Sequence, residues 1–251
     1  MSMAHRQERI LTILSPILVL AVWELVVRAG LLEPLFFPPP TRIARTFWLL
    51  SRDGELGYEL VITLRRIALG FVLGVLPGLA VGLLMGSCSR ARAFLEPLVS
   101  ATYPIPKITL LPLIMLVFGI GEFSKISLVA IGCFYLMLIN TMTGVLHIDM
   151  LYFDVARNYG AGPWRVLWRV LIPGSSRMMF AGARLSLGVA LLLVVMVEFT
   201  SAQEGIGAMT WLAWQTLRTE RLYVGIIVIA LLGWLFTSAL KKIERELIPW
   251  Q

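Results

Sequence analysis

Hydrophobic residues fall in long blocks separated by short polar segments, unlike the short alternating patterns typical of a soluble protein. A helix needs about 20 predominantly apolar residues to cross the hydrocarbon core of a bilayer. Blocks that approach this length predict membrane spans at about 10–27, 67–86, 98–118, 127–145, 178–200 and 222–240. Because lipid offers backbone groups no hydrogen-bond partner, these spans must be helices. The pattern therefore predicts an all-α polytopic membrane protein with about six transmembrane helices.

The spans divide the chain into successive parts. These are an N-terminal tail at 1–9, a first span with an external amphipathic segment at 10–66, a membrane core at 67–240 and a C-terminal tail at 241–251. Basic residues are more frequent on the side that holds both termini, and the positive-inside rule then places the termini in the cytoplasm. In the amphipathic segment, Thr41 is expected to cap a surface helix after consecutive prolines. Pro104 and Pro106 are expected to break the third span.

The second span repeats glycine at every fourth position. Residues four apart lie on one face of a helix, and small residues on such a face let two helix backbones approach closely in lipid. The series consists of Gly70, Gly74, Gly78, Gly82 and Gly86. It predicts that this helix packs inside the bundle, and it carries no information about function.

Composition supports the membrane assignment and changes how the charge is interpreted. Charged residues make up 15% of the chain, whereas soluble domains average about 25%. The net charge of +7 would favour nucleic acid as the partner of a soluble protein. On a membrane protein, Lys and Arg in loops instead set orientation and contact anionic lipid headgroups, so no nucleic acid is expected. Cys88 and Cys133 show no pattern of a disulfide framework or a metal site.

A polar island from Asp149 to Pro173 lies between the fourth and fifth spans, and it is the segment expected to contact a partner in water. Asp149 can cap a helix that ends at Gly160, a residue suited to the left-handed position after a helix. Pro163 favours the start of a second helix, which is expected to end near Leu171, before the last proline. The island is thus predicted to be two short helices joined by a turn of small residues.

Physical reasoning alone leaves the role of the island open. A helical hairpin with a basic second helix is similar to a DNA reader, but the flanking spans, which tether it to the bilayer, argue against that role. An amphipathic hairpin that lies at the interface without a partner is as consistent with the pattern as a docking element.

The island also resembles the cytoplasmic loop of the permease subunits of ABC importers. That loop carries Glu-Ala-Ala, three residues, Gly, nine residues and Ile-x-Leu-Pro. The same spacing here holds Asp154, Val155, Ala156, Gly160, Val170, Ile172 and Pro173. Val155 stands where the family has alanine, and its bulk could loosen close packing. Other stretches similar to the nitrate, sulfonate and taurine branch of the family extend the resemblance over nearly the whole chain, among them FFPPP, TLRRIALGFVLGVLPGLAVGLLMG, YPIPKITLLPLIMLVFGIGEFSK and VEFTSAQEGIGAM.

The resemblance implies a type I ABC-importer permease fold, like that of the methionine-importer permease, in a bacterial inner membrane. It implies that the loop, including Arg157, Ala161 and Gly162, couples this chain to an ATPase. Two ATPase subunits, a second permease copy and an external substrate-binding protein would complete the complex. The solute would be small and anionic, such as nitrate, a sulfonate, taurine or bicarbonate.

The chain contains no GxxxxGK[ST] phosphate-binding loop, the motif that cradles the phosphates of a nucleotide. It is therefore expected to be a non-catalytic subunit that binds no cofactor or metal of its own. ATP and Mg would belong to the partner ATPase.

Polar residues inside the spans are the candidates for the translocation path, because ionisable groups in a membrane are costly. Lys107 follows the proline break and is the best electrostatic candidate for an anion. Arg184 and Glu198 lie near the ends of the fifth span, where each could equally be an interface charge. Asn140 is expected to form a hydrogen bond between helices, and Arg66 is expected near the interface.

The segment 201–220 is expected to be an external loop. Its glycine-containing turn and its tryptophans could gate the path, contact the binding protein, or simply cover the mouth of the bundle.

Two other kinds of membrane protein compete with the importer. An ion-driven secondary transporter or channel should show inverted repeats with a broken helix in each half, and only the third span shows a break. A membrane scaffold would not require the spaced motif of the loop.

Overall fold

The chain folds almost entirely into helices. The computed structural model describes residues 3–201 and 203–247, with side chains from Leu14 to Glu246 apart from position 202. The helices, in chain order, are α1 (Met3–Arg28), α2 (Pro40–Arg52), α3 (Glu55–Ser87), α4 (Ser89–Thr102), α5 (Leu111–Phe118), α6 (Glu122–Leu146), α7 (Met150–Asn158), α8 (Pro163–Val166), α9 (Ile172–Ser201), α10 (Ile206–Gln215) and α11 (Thr219–Leu247). A 3-10 turn, Lys107–Leu110, precedes α5, and a π turn, Leu167–Leu171, joins α8 to α9. Since no strand occurs in the described residues, the all-α prediction is confirmed.

Within residues 3–201 and 203–247, four helical stretches are long and apolar enough to cross a membrane. They are α3, α6, the continuous helix Pro163–Ser201 and α11. A fifth span arises if Ser89–Thr102 and Lys107–Phe118 are taken together, since they meet at a bend of 91°. This bend confirms the predicted break in the third span. The first predicted span, 10–27, falls in α1, where side chains are described only from Leu14 onward, and the count of six stays a prediction.

Helix α6 is central to the bundle and packs against both α3 and α9. The buried core where these helices meet includes Ile67, Val129, Cys133, Ala190 and Val194. Helix α3 starts at Glu55, well before the predicted span, and the polar residues Thr63 and Arg66 in this added part are buried in the bundle. This early start brings polar side chains to one end of the membrane core.

The glycine series of α3 faces α6. A Cβ atom at Gly70 would lie 2.5 Å from Cγ1 of Val129, and one at Gly78 would lie 2.6 Å from the carbonyl oxygen of Phe134. Carbon atoms in van der Waals contact normally lie about 3.5–4.0 Å apart. A side chain at these positions would therefore push the two helices apart, and the backbones can touch only because Cβ is missing.

Helix α2 starts two residues earlier than predicted, since the predicted cap was Thr41. Pro39 is the N-cap and Pro40 the first helical residue, where the fixed φ of proline suits a helix and its missing N–H costs nothing. Thr41 is thus not the cap. Instead its N–H and its hydroxyl donate to the Glu24 carboxylate of α1, at 3.0 and 2.8 Å. The free amide at the start of α2 is satisfied by a side chain from a preceding helix.

We predict that Gly74→Ala lowers the midpoint of thermal unfolding of the detergent-purified protein, because the new Cβ would meet the carbonyl oxygen of Ala130. Overpacking of this kind costs about 1–3 kcal/mol. Gly188→Ala in α9 is the matched control, since a Cβ there has no atom within 4 Å and alanine favours a helix over glycine by about 1 kcal/mol. An equal loss in both variants would contradict the close-packing role of the series.

Candidate functional site

The polar island forms a helical hairpin (residues 149–173), and α7 is its first arm. The carboxylate of Asp149 caps α7 by accepting the N–H of Leu151 at 2.9 Å. Gly160 follows the helix with φ of +64°, the left-handed conformation that glycine adopts at little cost. The N–H of Ala161 then donates back to the carbonyl of Ala156 at 2.9 Å. Both the cap and the turn agree with the sequence prediction.

The second arm of the hairpin does not end where the sequence predicted. Helix α8 begins at Pro163, passes through the π turn and continues into α9, so the predicted stop at Pro173 is wrong. Proline cannot donate a hydrogen bond, and its ring clashes with the carbonyl four residues earlier. The π turn directly before Pro173 is wider than an α-helical turn and accommodates the ring. The hairpin is therefore continuous with a membrane span, Pro163–Ser201.

The hairpin presents aromatic and basic side chains that the rest of the described chain leaves uncovered. Tyr159 is 83% exposed, and the indoles of Trp164 and Trp168 pack edge to face at 5.7 Å while remaining exposed. Arg165 and Arg169 are also exposed. Among the residues of the spaced motif and its turn, the exposed ones are Asp154, Val155, Arg157, Gly160, Gly162 and Pro173, and the half-buried ones are Ala156, Ala161, Val170 and Ile172. A surface of this kind is typical of a protein–protein contact.

A buried cluster of charged side chains lies near the opposite end of α9. The guanidinium of Arg66 donates to both carboxylate oxygens of Glu122, at 2.8 and 2.6 Å, and to Glu198 at 2.7 Å. Lys125 donates to Glu122 at 2.8 Å. Arg66 is 1% exposed and Glu198 is fully buried. The two cations and two carboxylates balance each other, which is the condition under which charges can be buried.

The cluster shows what surrounds two of the charged residues named from the sequence. Arg66, expected near the interface, is buried between helices, and Glu198, for which an interface charge was the alternative, is enclosed. Since Arg66 lies on α3, Glu122 on α6 and Glu198 on α9, the cluster connects three of the membrane helices.

The same region holds the backbone that enters α10. Arg66 donates to the carbonyl of Glu204, while the N–H groups of Gly205, Ile206 and Gly207 donate to Glu59, Thr63 and Glu198 respectively. We call the four side chains Glu59, Thr63, Arg66 and Glu198 the α10 clamp. The four consecutive residues from Glu204 to Gly207 are thus each bonded to a side chain of α3 or α9, so the start of α10 is fixed to both helices.

Glycine is required in this loop for two reasons. Gly205 has φ of +110°, and a Cβ atom there would collide with the Glu198 carboxylate. A Cβ atom at Gly207 would lie 2.7 Å from Cβ of Glu198. The segment 201–220 was predicted to be a loop, but the structure shows that it contains the helix α10, which packs against α3, α9 and α11. The sequence did not reveal this helix because its anchors lie far away along the chain.

The family model for the inner-membrane components of binding-protein-dependent transport systems matches residues 71–248. The chain belongs to this family. The match includes the hairpin and α9, and family membership favours the importer permease over the ion-driven transporter and the scaffold. As a component of an ABC importer, the permease works with an ATPase and a substrate-binding protein in the inner membrane.

Two relatives and one solved structure extend this result. The permease is 35% identical over 239 residues to a Bacillus subtilis (strain 168) protein that is named as an aliphatic sulfonates transport permease, covering 95% of this chain and 87% of that protein. It is 34% identical over 236 residues to a taurine transport system permease protein of Escherichia coli (strain K12), covering 92% and 86%. The fold is similar to a chain of an inward-facing methionine ABC transporter, with a TM-score of 0.69 and 20% identity over 79% of this chain and 96% of that chain. The predicted methionine-importer-like fold is confirmed.

Lys107, a candidate for the translocation path, lies in the 3-10 turn at the bend. Its ammonium donates to the carbonyls of Thr102 and Tyr103, at 3.0 and 2.9 Å, and lies 4.2 Å from the ring centroid of Tyr135. Both carbonyls lie at the carboxyl end of α4, so the lysine caps that helix and stabilises the bend.

The other two candidates are held by separate partners. Asn140 donates to the carbonyl of Leu136 in its own helix at 2.8 Å, so the expected bond between helices is not formed. Arg184 forms an ion pair with Glu244 of α11 instead of reaching for lipid headgroups. In the described chain no hydrogen bond or ion pair joins any two of the path candidates, and their role in translocation stays a prediction.

Sequence reasoning missed most of the buried network, namely Glu59, Thr63, Glu122 and Lys125. A signal for it was nevertheless present. Arg66 precedes the first glycine of the series by four residues, so it continues the same helix face toward α6. An arginine on a face built for close packing must be buried and therefore needs carboxylate partners.

We predict that Arg66→Met sharply reduces the stability and membrane yield of the permease, because it leaves the fully buried Glu198 carboxylate without its cation. Breaking a buried pair in this way costs about 3–5 kcal/mol. The neighbouring Arg65 is exposed, so Arg65→Met should change stability by less than about 0.5 kcal/mol. Thermal unfolding of both purified variants, followed by size-exclusion chromatography, measures the difference. Equal midpoints would refute the cluster's stabilising role.

Proposed function

We propose that the hairpin (residues 149–173) is the contact through which a separate ATPase drives the permease. The observation that carries the proposal is the surface of the hairpin, where Tyr159, Trp164 and Trp168 project with basic neighbours from the turn after α7 and from the helix that continues into α9. Such a protrusion suits a groove on a partner, because rigid aromatic anchors lose little conformational entropy when they bind.

The continuity of the second arm with α9 supports the same role. The helix Pro163–Ser201 has no break, so a displacement of the hairpin is passed directly to a membrane span. Helix α9 packs against α6, α3, α10 and α11. Nucleotide-driven closure of the ATPases would then bias the whole bundle between two arrangements, as a ligand biases any two-state element.

The proposed assembly contains two copies of the permease and two ATPases, with an external binding protein. The excess of basic residues on the side of the termini supports cytoplasmic termini, which puts the hairpin on the ATPase side of the membrane. ATP and Mg then act on the ATPase subunits only.

The proposed cargo is a small organic sulfonate. The names of the two relatives, for aliphatic sulfonates and for taurine, support this class. Selection of the individual sulfonate is assigned mainly to the binding protein, since the path candidates of the permease do not form a common site.

We predict that Gly160→Glu reduces recovery of the ATPase in a pull-down by about tenfold, the effect of losing about 1.4 kcal/mol of binding free energy. Gly54→Glu is the matched control. Gly54 has φ of +79° and lies in the turn before α3, and a Cβ atom there, like one at Gly160, would have no atom within 4 Å. The control therefore imposes the same backbone strain and charge away from the hairpin. Equal ATPase recovery with both variants would refute docking at the hairpin.

Reconstituted liposomes that contain the permease, its ATPase and its binding protein should take up taurine or ethanesulfonate only when ATP is present. Unlabelled alkanesulfonates should compete, whereas an alcohol of equal length should not. Uptake of nitrate or bicarbonate without sulfonate would overturn the substrate class. Uptake driven by an ion gradient in the absence of ATP would overturn the importer mechanism.

A further inference from the structure

Helix α9 connects the hairpin to the α10 clamp. From Ile172 to Glu198 the helix advances 1.5 Å per residue, or about 39 Å in all. One end is continuous with the hairpin, and the other carries a carboxylate that is fully buried. A displacement of the hairpin therefore also displaces Glu198.

Glu198 is bonded to two different elements at once. One carboxylate oxygen accepts from Arg66 of α3 at 2.7 Å, and the other accepts from the N–H of Gly207 at 2.8 Å. The hydroxyl of Thr63 lies within hydrogen-bond distance of both oxygens, at 2.9 and 3.0 Å. One side chain of α9 is thus bonded to α3 and to α10 at once, beside the direct bonds of Glu59, Thr63 and Arg66 to the segment that enters α10.

Helix α10 forms one wall of a cavity of about 410 Å³ at this end of the bundle. The opposite wall includes Glu55 and Glu59 of α3, and the lining also contains Trp211, Gln215 and Arg218. This volume is within the range of small-molecule sites, roughly 300–1,000 Å³. Because α10 supplies a wall, the opening and shape of the cavity depend on where the clamp holds α10.

We propose that Arg66 and Glu198 are positioning residues of the transport cycle, whose ion pair holds α10 across this end of the bundle and is released when the hairpin displaces α9. The proposal rests on the proposed coupling through the hairpin. The cavity beside α10 opens when the pair separates, and it closes when the pair forms again.

The bonding of Arg66 makes such a release feasible. The guanidinium keeps both of its bonds to Glu122 when Glu198 withdraws, so no unpaired cation is left in the bundle. Glu198 in turn keeps the N–H of Gly207, which moves with it. Glu198 alone then lacks a cation, so opening this pair leaves one buried charge unpaired, where opening an isolated pair would leave two.

The test uses the complete complex in liposomes, with ATPase activity measured with and without the substrate-loaded binding protein. Glu198→Gln keeps the shape of the side chain but removes the charge that holds Arg66. We expect its ATPase activity without binding protein to rise roughly tenfold, the loss of one charged hydrogen bond, while uptake per ATP hydrolysed falls. Glu96→Gln, an exposed carboxylate on α4, is the matched control and should behave as wild type.

Thr63→Val is the second variant, because it removes the hydroxyl that bonds Ile206 and Glu198 and leaves every charge in place. Its ATPase activity without binding protein, relative to the activity with binding protein, should also rise, but by a smaller factor than in Glu198→Gln. If Glu198→Gln fails to assemble, this variant decides the question alone.

A purely structural role predicts a different result. If the residues are only structural, the variants lower ATPase activity and uptake in equal proportion and leave the dependence of ATPase activity on binding protein unchanged. That outcome overturns the proposal. The proposed function fails separately, if the wild-type complex itself shows no ATP-dependent uptake or if Gly160→Glu leaves that uptake intact.

Discussion

The arrangement of the membrane helices depends at one end of the bundle on the guanidinium of Arg66. It bonds to carboxylates of α6 and α9 and to the carbonyl of Glu204 ahead of α10. A buried charge is tolerated only where its partners are in place, so the cluster fixes the relative positions of these helices. The glycine series continues the face on which Arg66 lies, and it lets α3 approach α6 closely enough for the guanidinium to reach Glu122. Close backbone packing and charge pairing therefore act together along one helix face.

The two ends of α9 have opposite characters. At the hairpin the chain is exposed, aromatic and basic, as suits a surface that binds and releases a partner. At Glu198 it is enclosed, charged and fully hydrogen bonded, as suits a junction with few allowed arrangements. A rigid helix between them couples an exposed contact to a buried one, which is how a small displacement becomes a change between discrete states.

Local sequence patterns predicted much of the fold. The long apolar blocks located α3, α6, α9 and α11, the prolines located the bend after α4, and Asp149 and Gly160 located the ends of α7. The predictions failed where a distant partner decides the structure. Thr41 is bonded to a carboxylate from α1, and α10 is held by side chains of α3 and α9. No local pattern shows these partners, and the role of the hairpin came from resemblance to a family, because its physics was equally consistent with an idle surface helix.

The π turn before Pro173 lets the second arm of the hairpin and α9 form one helix. The direction in which Glu198 points is therefore fixed relative to the direction in which the hairpin points. Each residue turns an α-helix by about 100°. A single residue inserted between Pro173 and Glu198 would point the carboxylate away from Arg66 while leaving the hairpin unchanged. A change of about seven residues, two full turns, would restore the angle to within about 20°. The number of residues in α9 is therefore constrained by the orientation of Glu198 toward Arg66 as well as by the thickness of the membrane.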